Sequence, residues 1–365
     1  MRPGACRRCQ DDRMCLTSGD RGKAIMDLRK AALLLLHRLR LHKVAAVTRR
    51  LQGVVFSAHR VQPARQGAFQ PNLSLTITPE FLELAIVQAR AAGFDILSLD
   101  DAHGRLLDGA DGGGQRRPFA CFTFDDGYRD NWDWAFPVLK RHRVPHTIYV
   151  PLAFAEGTGV LWWELLERVI AANDSIEAEG ISRLTSKTVD EKRRAFTQLA
   201  SLVYDLPPPA GHGFATSLAA RYGIDSNAVC RELMLGWDEL VDFSKEALLT
   251  IGGHTVNHFR LAKLPADESA REIERGLLGL QERLGRMPRH FSYPFGDFNS
   301  ADSREFALAG STGLKTAVTT NSGVIHGGNR QLLTSLPRLS LNRVYGDLRC
   351  LDVLMTGAPA ALFRR

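Results

Sequence analysis

Short apolar segments alternate with segments of helical period along most of the chain. Apolar runs typical of strands lie at residues 53–58, 94–99, 118–124, 146–150, 248–252, 290–293, 315–319 and 337–341. Helical patterns lie at residues 78–92, 132–142, 265–284 and 304–309. This succession predicts a mainly parallel sheet, and 365 residues suffice for one large (β/α) barrel with extensions. We therefore expect ligands to bind at the carboxyl ends of the strands.

Two segments depart from this alternation. Residues 155–236 contain helical stretches on both sides of three consecutive prolines, which predicts a helical insertion. The chain begins with a basic arm, in which residues 1–25 look unstructured and residues 26–51 have the pattern of an amphipathic helix. The predicted domains are the basic N-terminal arm at 1–52, the barrel domain at 53–345 and a C-terminal tail at 346–365.

The positive charge of the chain is concentrated in the N-terminal arm. The net charge is +7, and the cations ahead of the first strand favour an anionic partner. A membrane surface or an acidic glycan suits the arm better than nucleic acid, because no nucleic-acid-binding motif accompanies it. No apolar run approaches the ~20 residues of a transmembrane helix, and no secretory signal opens the chain. We therefore expect a cytoplasmic protein whose residues 26–51 either contact the anionic inner membrane surface peripherally or pack on the outside of the barrel.

Two adjacent carboxylates end one of the predicted buried strands. Asp125 and Asp126 follow residues 118–124, and Gly127 lets the backbone turn sharply there. An ordinary turn is one interpretation of this sequence. The apolar strand, however, buries one side of the turn, so two unpaired negative charges would be costly and a bound cation would relieve them.

Two histidines follow a later strand at a spacing of four residues. His254 and His258 come after residues 248–252, and on a helical turn this spacing would place both imidazoles on one face. The alternative is a pair of surface or capping residues. Because Thr255 rather than Glu follows His254, the metalloprotease pattern with a glutamate base is excluded.

Asp126, His254 and His258 together offer one carboxylate oxygen and two imidazole nitrogens. Such an open set of three ligands leaves room for water and for a substrate carbonyl. Zn²⁺ is the divalent cation that we expect first, and Co²⁺, Ni²⁺ and Fe²⁺ also fit these ligands.

The two segments together resemble a known enzyme family. Thr-Phe-Asp-Asp-Gly and His-Thr-x-x-His are similar to the first two motifs of the NodB-type polysaccharide deacetylases, carbohydrate esterase family 4. The resemblance implies a distorted (β/α) barrel that removes N-acetyl groups from N-acetylglucosamine-containing glycans, such as chitooligosaccharides, with a divalent metal. By motif, it makes Asp125 the catalytic base and makes Asp126, His254 and His258 the metal ligands.

A third segment, Tyr-Pro-Phe-Gly at residues 293–296, is similar to the Pro-Tyr-Gly element of the same family. The resemblance implies that the backbone N–H of Phe295 stabilises the oxyanion of the reaction. The arginine that holds the base in the family would fall on Ser292. That arginine is therefore missing, and Arg289 is the available substitute.

The catalytic acid of the family, a histidine near the C-terminus, has no counterpart after residue 300. Some relatives are circularly permuted and carry this histidine on the first strand, and the segment after residues 53–58 resembles theirs. The resemblance makes His59 the catalytic acid in a permuted-like arrangement. The alternative is a strand-end histidine that hydrogen-bonds a loop.

Two other functions are compatible with these residues. The missing arginine and the atypical third motif would suit a non-catalytic glycan-binding barrel, whereas a barrel of this type could also host an amidase for a small non-sugar amide. In the insertion, Trp162 and Trp163 either stack on sugar rings or pack in a core.

Overall fold

The computed structural model describes residues 20–40, 51–108, 116–326, 332–342 and 347–358. Its strands are β1 (Leu51–Ala58), β2 (Arg60–Val61), β3 (Thr76–Ile77), β4 (Asp95–Ile96), β5 (Phe119–Phe124), β6 (His146–Val150), β7 (Ser175–Ala178), β8 (Ile181–Thr185), β9 (Leu249–Gly253), β10 (His290–Ser292), β11 (Thr316–Ser322), β12 (Ile325–His326) and β13 (Leu336–Ser340). Its α-helices are α1 (Asp20–Arg38), α2 (Pro79–Ala91), α3 (Leu99–Asp108), α4 (Phe136–Arg141), α5 (Leu152–Ala155), α6 (Trp162–Ala172), α7 (Val189–Asp205), α8 (Pro208–Arg221), α9 (Ser226–Leu233), α10 (Trp237–Phe243), α11 (Ala266–Leu284), α12 (Ser303–Ser311) and α13 (Leu348–Met355).

Seven parallel strands close into a barrel. Their order is β1, β13, β11, β10, β9, β6 and β5, and β5 pairs again with β1 from Gly53 opposite Phe119 to Ala58 opposite Phe124. β12 pairs antiparallel with the start of β1, and β4 lies beside β5. The predicted (β/α) barrel is confirmed, and its carboxyl strand ends share one face.

The barrel interior changes from apolar to polar towards that face. Side chains alternate across a strand, so Cys121 of β5 packs in an interior cluster with Tyr149 and Leu336, whereas Phe124 packs in the layer between strands and helices. The same alternation places Asp125 on the interior side, at the open end of the barrel.

The segment at 155–236 forms a helical layer with its own core. Helices α6 to α9 pack around buried side chains such as Leu199, and β7 and β8 form a hairpin between α6 and α7. The helical insertion is thus present, although the hairpin was not predicted. Trp162 and Trp163 are only 3% and 5% exposed within this core, so they pack in a core as in the second interpretation.

The first and last described helices pack together beside the barrel. Leu33 of α1 is buried against Cys350 and Val353 of α13, and His37 Nε2 lies 3.5 Å from Asp352 Oδ2. The C-terminal tail therefore contains a helix. This packing agrees with the interpretation that the arm lies on the outside of the barrel.

The bounds of α1 differ from the predicted arm. The helix already begins at Asp20, inside the segment predicted to be unstructured, and it ends at Arg38. Residues 1–19 and 41–50 lie outside the described residues, so the rest of the predicted leader and helix stays a prediction. No helix within the described ranges has both the length and the apolar character that crossing a membrane requires.

A helix replaces the end of the strand predicted at 94–99. β4 covers only Asp95–Ile96, and α3 begins at Leu99. The Ser98 hydroxyl oxygen accepts a hydrogen bond from the Asp101 N–H at 3.1 Å, and acidic residues in the first turn stabilise a helix N-terminus. The prediction was wrong here because a capping serine, rather than the apolar run, sets the boundary.

Candidate active site

The strand register places the first two candidate residues side by side. Ala58 and Phe124 pair at the ends of β1 and β5, and the Asp125 N–H donates to the Ala58 carbonyl oxygen at 2.9 Å. His59 Nε2 lies 3.9 Å from Asp125 Oδ2, and their side chains are 25% and 3% exposed. The two candidate residues therefore meet where neighbouring strands end.

The loops after β5, β9 and β10 contain left-handed backbone. φ is 74° at Asp126, 66° at Thr255, 60° at His258 and 61° at Phe295. Such a φ is uncommon for residues with a side chain and costs roughly 1–3 kcal/mol, and it is found where a site requires a particular side-chain direction. The helical turn predicted for residues 254–258 is wrong, because a loop rather than a helix brings the two imidazoles together.

A buried glutamate of α11 holds the loop between the two histidines. Glu272 accepts hydrogen bonds from the backbone N–H groups of Val256 and Asn257 at 3.1 and 2.8 Å, and from Asn257 Nδ2 at 2.6 Å. Within the loop, the Thr255 hydroxyl oxygen accepts from the His258 N–H at 3.0 Å. These bonds fix a conformation that the backbone alone would disfavour.

Asp126, His254 and His258 converge on one buried point. Asp126 Oδ1 lies 3.4 Å from His254 Nε2 and 3.2 Å from His258 Nε2, and none of the three residues is more than 6% exposed. Among the described residues, no group donates a hydrogen bond to this buried oxygen. Ligand atoms on a tetrahedral zinc ion, with bonds of ~2.0–2.1 Å, lie about 3.3 Å apart. The measured separations therefore fit a divalent cation held by these residues.

Hydrogen bonding and charge favour the metal-binding protonation states. His254 Nδ1 lies 2.6 Å from the Ser292 carbonyl oxygen, which can only accept a hydrogen bond, so in the neutral ring Nε2 is the nitrogen with the lone pair. Burial alone would raise the pKa of Asp126, but His258 and His254 hold that pKa well below its usual range. Burial lowers the pKa of His258. An ionised carboxylate beside a neutral imidazole is what a metal site requires.

An arginine from β13 holds the candidate base. Arg338 Nη1 and Nη2 donate to the two carboxylate oxygens of Asp125 at 2.8 and 2.6 Å. The other donors reach Thr123 Oγ1 at 3.2 Å, Ser292 Oγ at 3.1 Å and the Thr319 carbonyl oxygen at 2.8 Å, so all the guanidinium N–H groups have acceptors. Burial alone would raise the pKa of Asp125, but the bonds and charge of Arg338 keep that pKa below its usual value.

Arg289 is not the substitute for the missing arginine, so that prediction is wrong. Arg289 donates to Asp100 Oδ2 of α3 at 2.5 Å, and it precedes β10 at the amino ends of the strands. Ser292, where the family has its arginine, instead accepts a hydrogen bond from Arg338. The arginine that holds Asp125 is present, but it comes from a different strand.

Sequence reasoning missed Arg338 and Glu272. Each has a charge at a position that its element buries: Arg338 lies two residues after Leu336 on the interior face of β13, and Glu272 lies on the buried face of α11 with Leu280. The hydrophobic periodicity of each element predicts a buried side chain at these positions. A charged residue there was the feature of the sequence that could have revealed both residues.

Aromatic rings surround His258. The ring centroids of Phe154, Trp163 and Phe295 lie 5.6, 5.4 and 5.1 Å from the centroid of the His258 ring. The insertion thus contributes Trp163 to the wall of the site. Within the described ranges, the backbone N–H of Phe295 donates to no backbone carbonyl.

Replacing Arg338 by methionine is expected to lower the free energy of unfolding by about 3–5 kcal/mol, because an unpaired carboxylate would stay buried. Arg338→Lys keeps the charge but loses the bidentate contact with Asp125, so we expect a smaller decrease in the free energy of unfolding. Urea unfolding measures both. Arg289→Met removes a half-exposed pair and should cost less than about 1 kcal/mol. Equal stability of Arg338→Met and the wild-type protein would contradict the structural role of this ion pair.

Solved structures of deacetylases resemble this chain in fold. Among solved structures, the deacetylase PplD of Streptococcus pyogenes, in complex with acetate, is 16% identical with a TM-score of 0.54, and the match covers 84% of this chain and 99% of that chain. IcaB from Ammonifex degensii is 18% identical with a TM-score of 0.52, over 83% of this chain and 97% of that chain. At these identities the likeness concerns the fold. No relative was found among curated proteins.

The family comparison covers most of the candidate site. Residues 112–315, more than half of the chain, match the polysaccharide deacetylase family. The match includes Asp125, Asp126, both histidines of the loop after β9 and Phe295, whereas His59 and Arg338 lie on either side of it. This chain belongs to the polysaccharide deacetylase family.

Proposed function

We propose that this protein is a metal-dependent hydrolase that removes N-acetyl groups from oligo- or polysaccharides containing N-acetylglucosamine. Its family supports hydrolysis of a carbon–nitrogen bond in a glycan. The observation that carries the finer proposal is the convergence of Asp126, His254 and His258 beside Asp125, whose two oxygens are held by Arg338.

Asp125 is the proposed general base. A divalent cation held by Asp126, His254 and His258 would polarise the acetamide carbonyl. Asp125 accepts a proton from the attacking water while the water oxygen bonds to the carbonyl carbon. Arg338 keeps this carboxylate ionised and oriented for that transfer.

Phe295 and His59 act on two successive steps, the addition of water to the carbonyl carbon and the departure of the nitrogen. The backbone N–H of Phe295 donates to the oxygen that becomes negatively charged. When the carbon–nitrogen bond breaks, His59 donates a proton to the leaving nitrogen, and acetate and a free amine result. The His59 side chain is 25% exposed, which gives a bulky substrate access to it.

Acetate release from chitooligosaccharides of increasing length, compared with release of acid from small non-sugar amides, tests this function. The protein is first stripped of metal and then reconstituted separately with Zn²⁺, Co²⁺, Ni²⁺ or Fe²⁺. We expect acetate from the oligosaccharides, fastest with Zn²⁺. Faster cleavage of the small amides would indicate a barrel amidase, and tight glycan binding without acetate under every metal would indicate a non-catalytic glycan-binding barrel. Either result would contradict the proposal.

We also propose that the basic arm holds the enzyme at an anionic membrane surface. Leu28, Leu35 and Leu39 are 72%, 56% and 55% exposed, and their spacing places them on one stripe, away from the Leu33 face that packs on α13. Between residues 28 and 52 the sequence has no acidic residue. Its cations are Arg29, Lys30, Arg38, Arg40, Lys43, Arg49 and Arg50.

These seven cations equal the whole net charge of +7, so the charges of the remaining chain balance. A second copy of the arm would bring the same positive charge and be repelled, whereas an anionic bilayer would attract both the cations and the leucines. The cytoplasmic location of the protein stays a prediction.

Co-sedimentation with vesicles of phosphatidylcholine and phosphatidylglycerol tests the membrane contact. The triple variant Leu28→Ser, Leu35→Ser, Leu39→Ser should bind about tenfold or more weakly, because three apolar side chains no longer enter the interface. A matched control replaces Leu84, Leu278 and Leu332, which are 46%, 55% and 45% exposed elsewhere, and should bind like the wild-type protein. Unchanged binding of the first variant, or no binding of the wild-type protein, would rule out this contact.

A further inference from the structure

A buried ion triad lies directly beside His59. Arg60 Nε donates to Asp130 Oδ2 at 2.8 Å, and Arg60 Nη1 donates to Glu164 Oε1 at 3.0 Å. Arg60 and Glu164 are only 8% and 4% exposed, and burial raises the pKa of both carboxyl groups although Arg60 opposes it. Such a triad adds little net stability, but it can fix one conformation among several.

The triad and its neighbours fix the backbone on both sides of Arg60, directly after His59. The Val61 N–H donates to Asp130 Oδ1 at 3.0 Å, and Asn131 Nδ2 donates to the His59 carbonyl oxygen at 2.8 Å. Asp130 and Asn131 begin the helical segment that follows the turn at Asp125 and Asp126. This segment is thereby coupled to the end of β1.

The helical insertion completes the arrangement. Glu164 lies on α6, and the Arg60 guanidinium carbon lies 4.8 Å from the centroid of the Tyr128 ring. The Tyr128 hydroxyl oxygen in turn accepts a hydrogen bond from Trp163 Nε1 at 2.8 Å. Arg60 is therefore enclosed by the barrel on one side and by the insertion on the other.

The His59 imidazole has little support of its own. Among the described residues its ring makes no hydrogen bond, and Asp125 Oδ2 at 3.9 Å is its only carboxylate contact within 4 Å. Hydrogen bonds to the ring therefore do not set its direction, whereas the backbone that carries it is held by Asn131 and Asp130.

We propose that Arg60, held between Asp130 and Glu164 of the insertion, is a positioning residue that orients His59 towards the leaving nitrogen. This inference rests on the proposed function, because it takes His59 as the acid. It also gives the 155–236 segment a part in the reaction: the insertion supplies the carboxylate that completes the triad.

Arg60→Met and the nearly isosteric Glu164→Gln test the inference by comparing two leaving groups. With a chitooligosaccharide, kcat should fall roughly ten- to hundredfold and KM should change less than about twofold, because proton donation to the amine is impaired. With 4-nitrophenyl acetate, whose leaving group requires no proton, kcat should fall less than about threefold. In a His59→Gln background, Arg60→Met should cause no further loss.

The control is Arg304→Met, which removes an arginine bonded to buried Glu305 and to the Leu261 and Leu264 carbonyl oxygens rather than to the triad. It should leave the ratio of amide to ester hydrolysis unchanged. Equal losses of kcat in Arg60→Met on both substrates, or losses that multiply with those of His59→Gln, would overturn the inference.

Crystal structures test the inference independently of activity. We expect His59 Nε2 to move away from its position 3.9 Å from Asp125 Oδ2 in Arg60→Met; an unmoved ring would refute the positioning role, even if wild-type protein released no acetate.

Discussion

Asp125→Asn is expected to lower kcat for acetate release by about 10²- to 10⁴-fold while KM changes little, because the amide cannot accept the proton of the attacking water. The side chain keeps its size, so the active-site cavity is preserved. The contact with Arg338 is not preserved. In the wild-type protein, Arg338 Nη1 and Nη2 donate to the two oxygens of Asp125 at 2.8 and 2.6 Å. An asparagine would place its own NH₂ donor against one of these Arg338 N–H groups. A loss of about 1–3 kcal/mol in the free energy of unfolding should therefore accompany the loss of activity.

The controls for this variant separate the base from the metal ligands. Metal content should stay at the wild-type level, because Asp125 is not one of the three converging residues. Asp133→Asn makes the same chemical change at an exposed position of the following segment. It should leave kcat at the wild-type value and the free energy of unfolding within about 0.5 kcal/mol of wild type. Acetate release by Asp125→Asn at the wild-type rate would show that another group is the base.

The sequence was sufficient to predict those site residues that come directly after a strand. An apolar run that ends in Asp125 and Asp126 indicates a strand end without knowledge of the rest of the fold, and the same holds for His59 after β1 and His254 after β9. In a parallel barrel all such ends share one face. Recognising several of them was therefore sufficient to predict one site.

Residues whose role depends on neighbouring strands were not predictable in this way. Arg338 reaches Asp125 only because β1 lies between β5 and β13 when the barrel closes, and no local period reveals that order. The family pattern pointed to Ser292, and the nearest arginine in the sequence, Arg289, lies at the opposite end of β10. A guanidinium can approach the same carboxylate from more than one strand, so distance in sequence was a poor guide.

Loop conformation was a second limit. The spacing of His254 and His258 suggested a helical turn, but left-handed φ angles at Thr255 and His258 and the hydrogen bonds to Glu272 produce the convergence instead. These tertiary contacts outweigh local propensity. The predicted proximity of His254 and His258 to Asp126 is present in the structure, whereas the predicted reason for it, a helical turn, was wrong.

His254→Ala is expected to abolish tight metal binding and to lower kcat to the level of the metal-free protein. His254 offers Nε2 at 3.4 Å from Asp126 Oδ1, and its Nδ1–H is fixed by the Ser292 carbonyl oxygen at 2.6 Å, so both the ligand and its orientation are lost together. Catalytic zinc sites usually have three protein ligands, and only two would remain. Loss of an orienting contact alone typically lowers metal affinity 10- to 100-fold. Metal content after dialysis, measured by mass spectrometry, should fall from near one equivalent to background.

A second measurement makes this prediction independent of catalysis. A ligand that binds only the folded state raises its stability, by about 2.7 kcal/mol at a hundred times its dissociation constant. Added Zn²⁺ should therefore raise the unfolding temperature of the wild-type protein and of His142→Ala, which loses a histidine paired with Glu83 outside the site. It should leave His254→Ala unchanged. If His254→Ala retained one equivalent of metal and the same stabilisation, the cation would have to be held elsewhere, and the roles proposed for Asp126 and His258 would fall with that of His254.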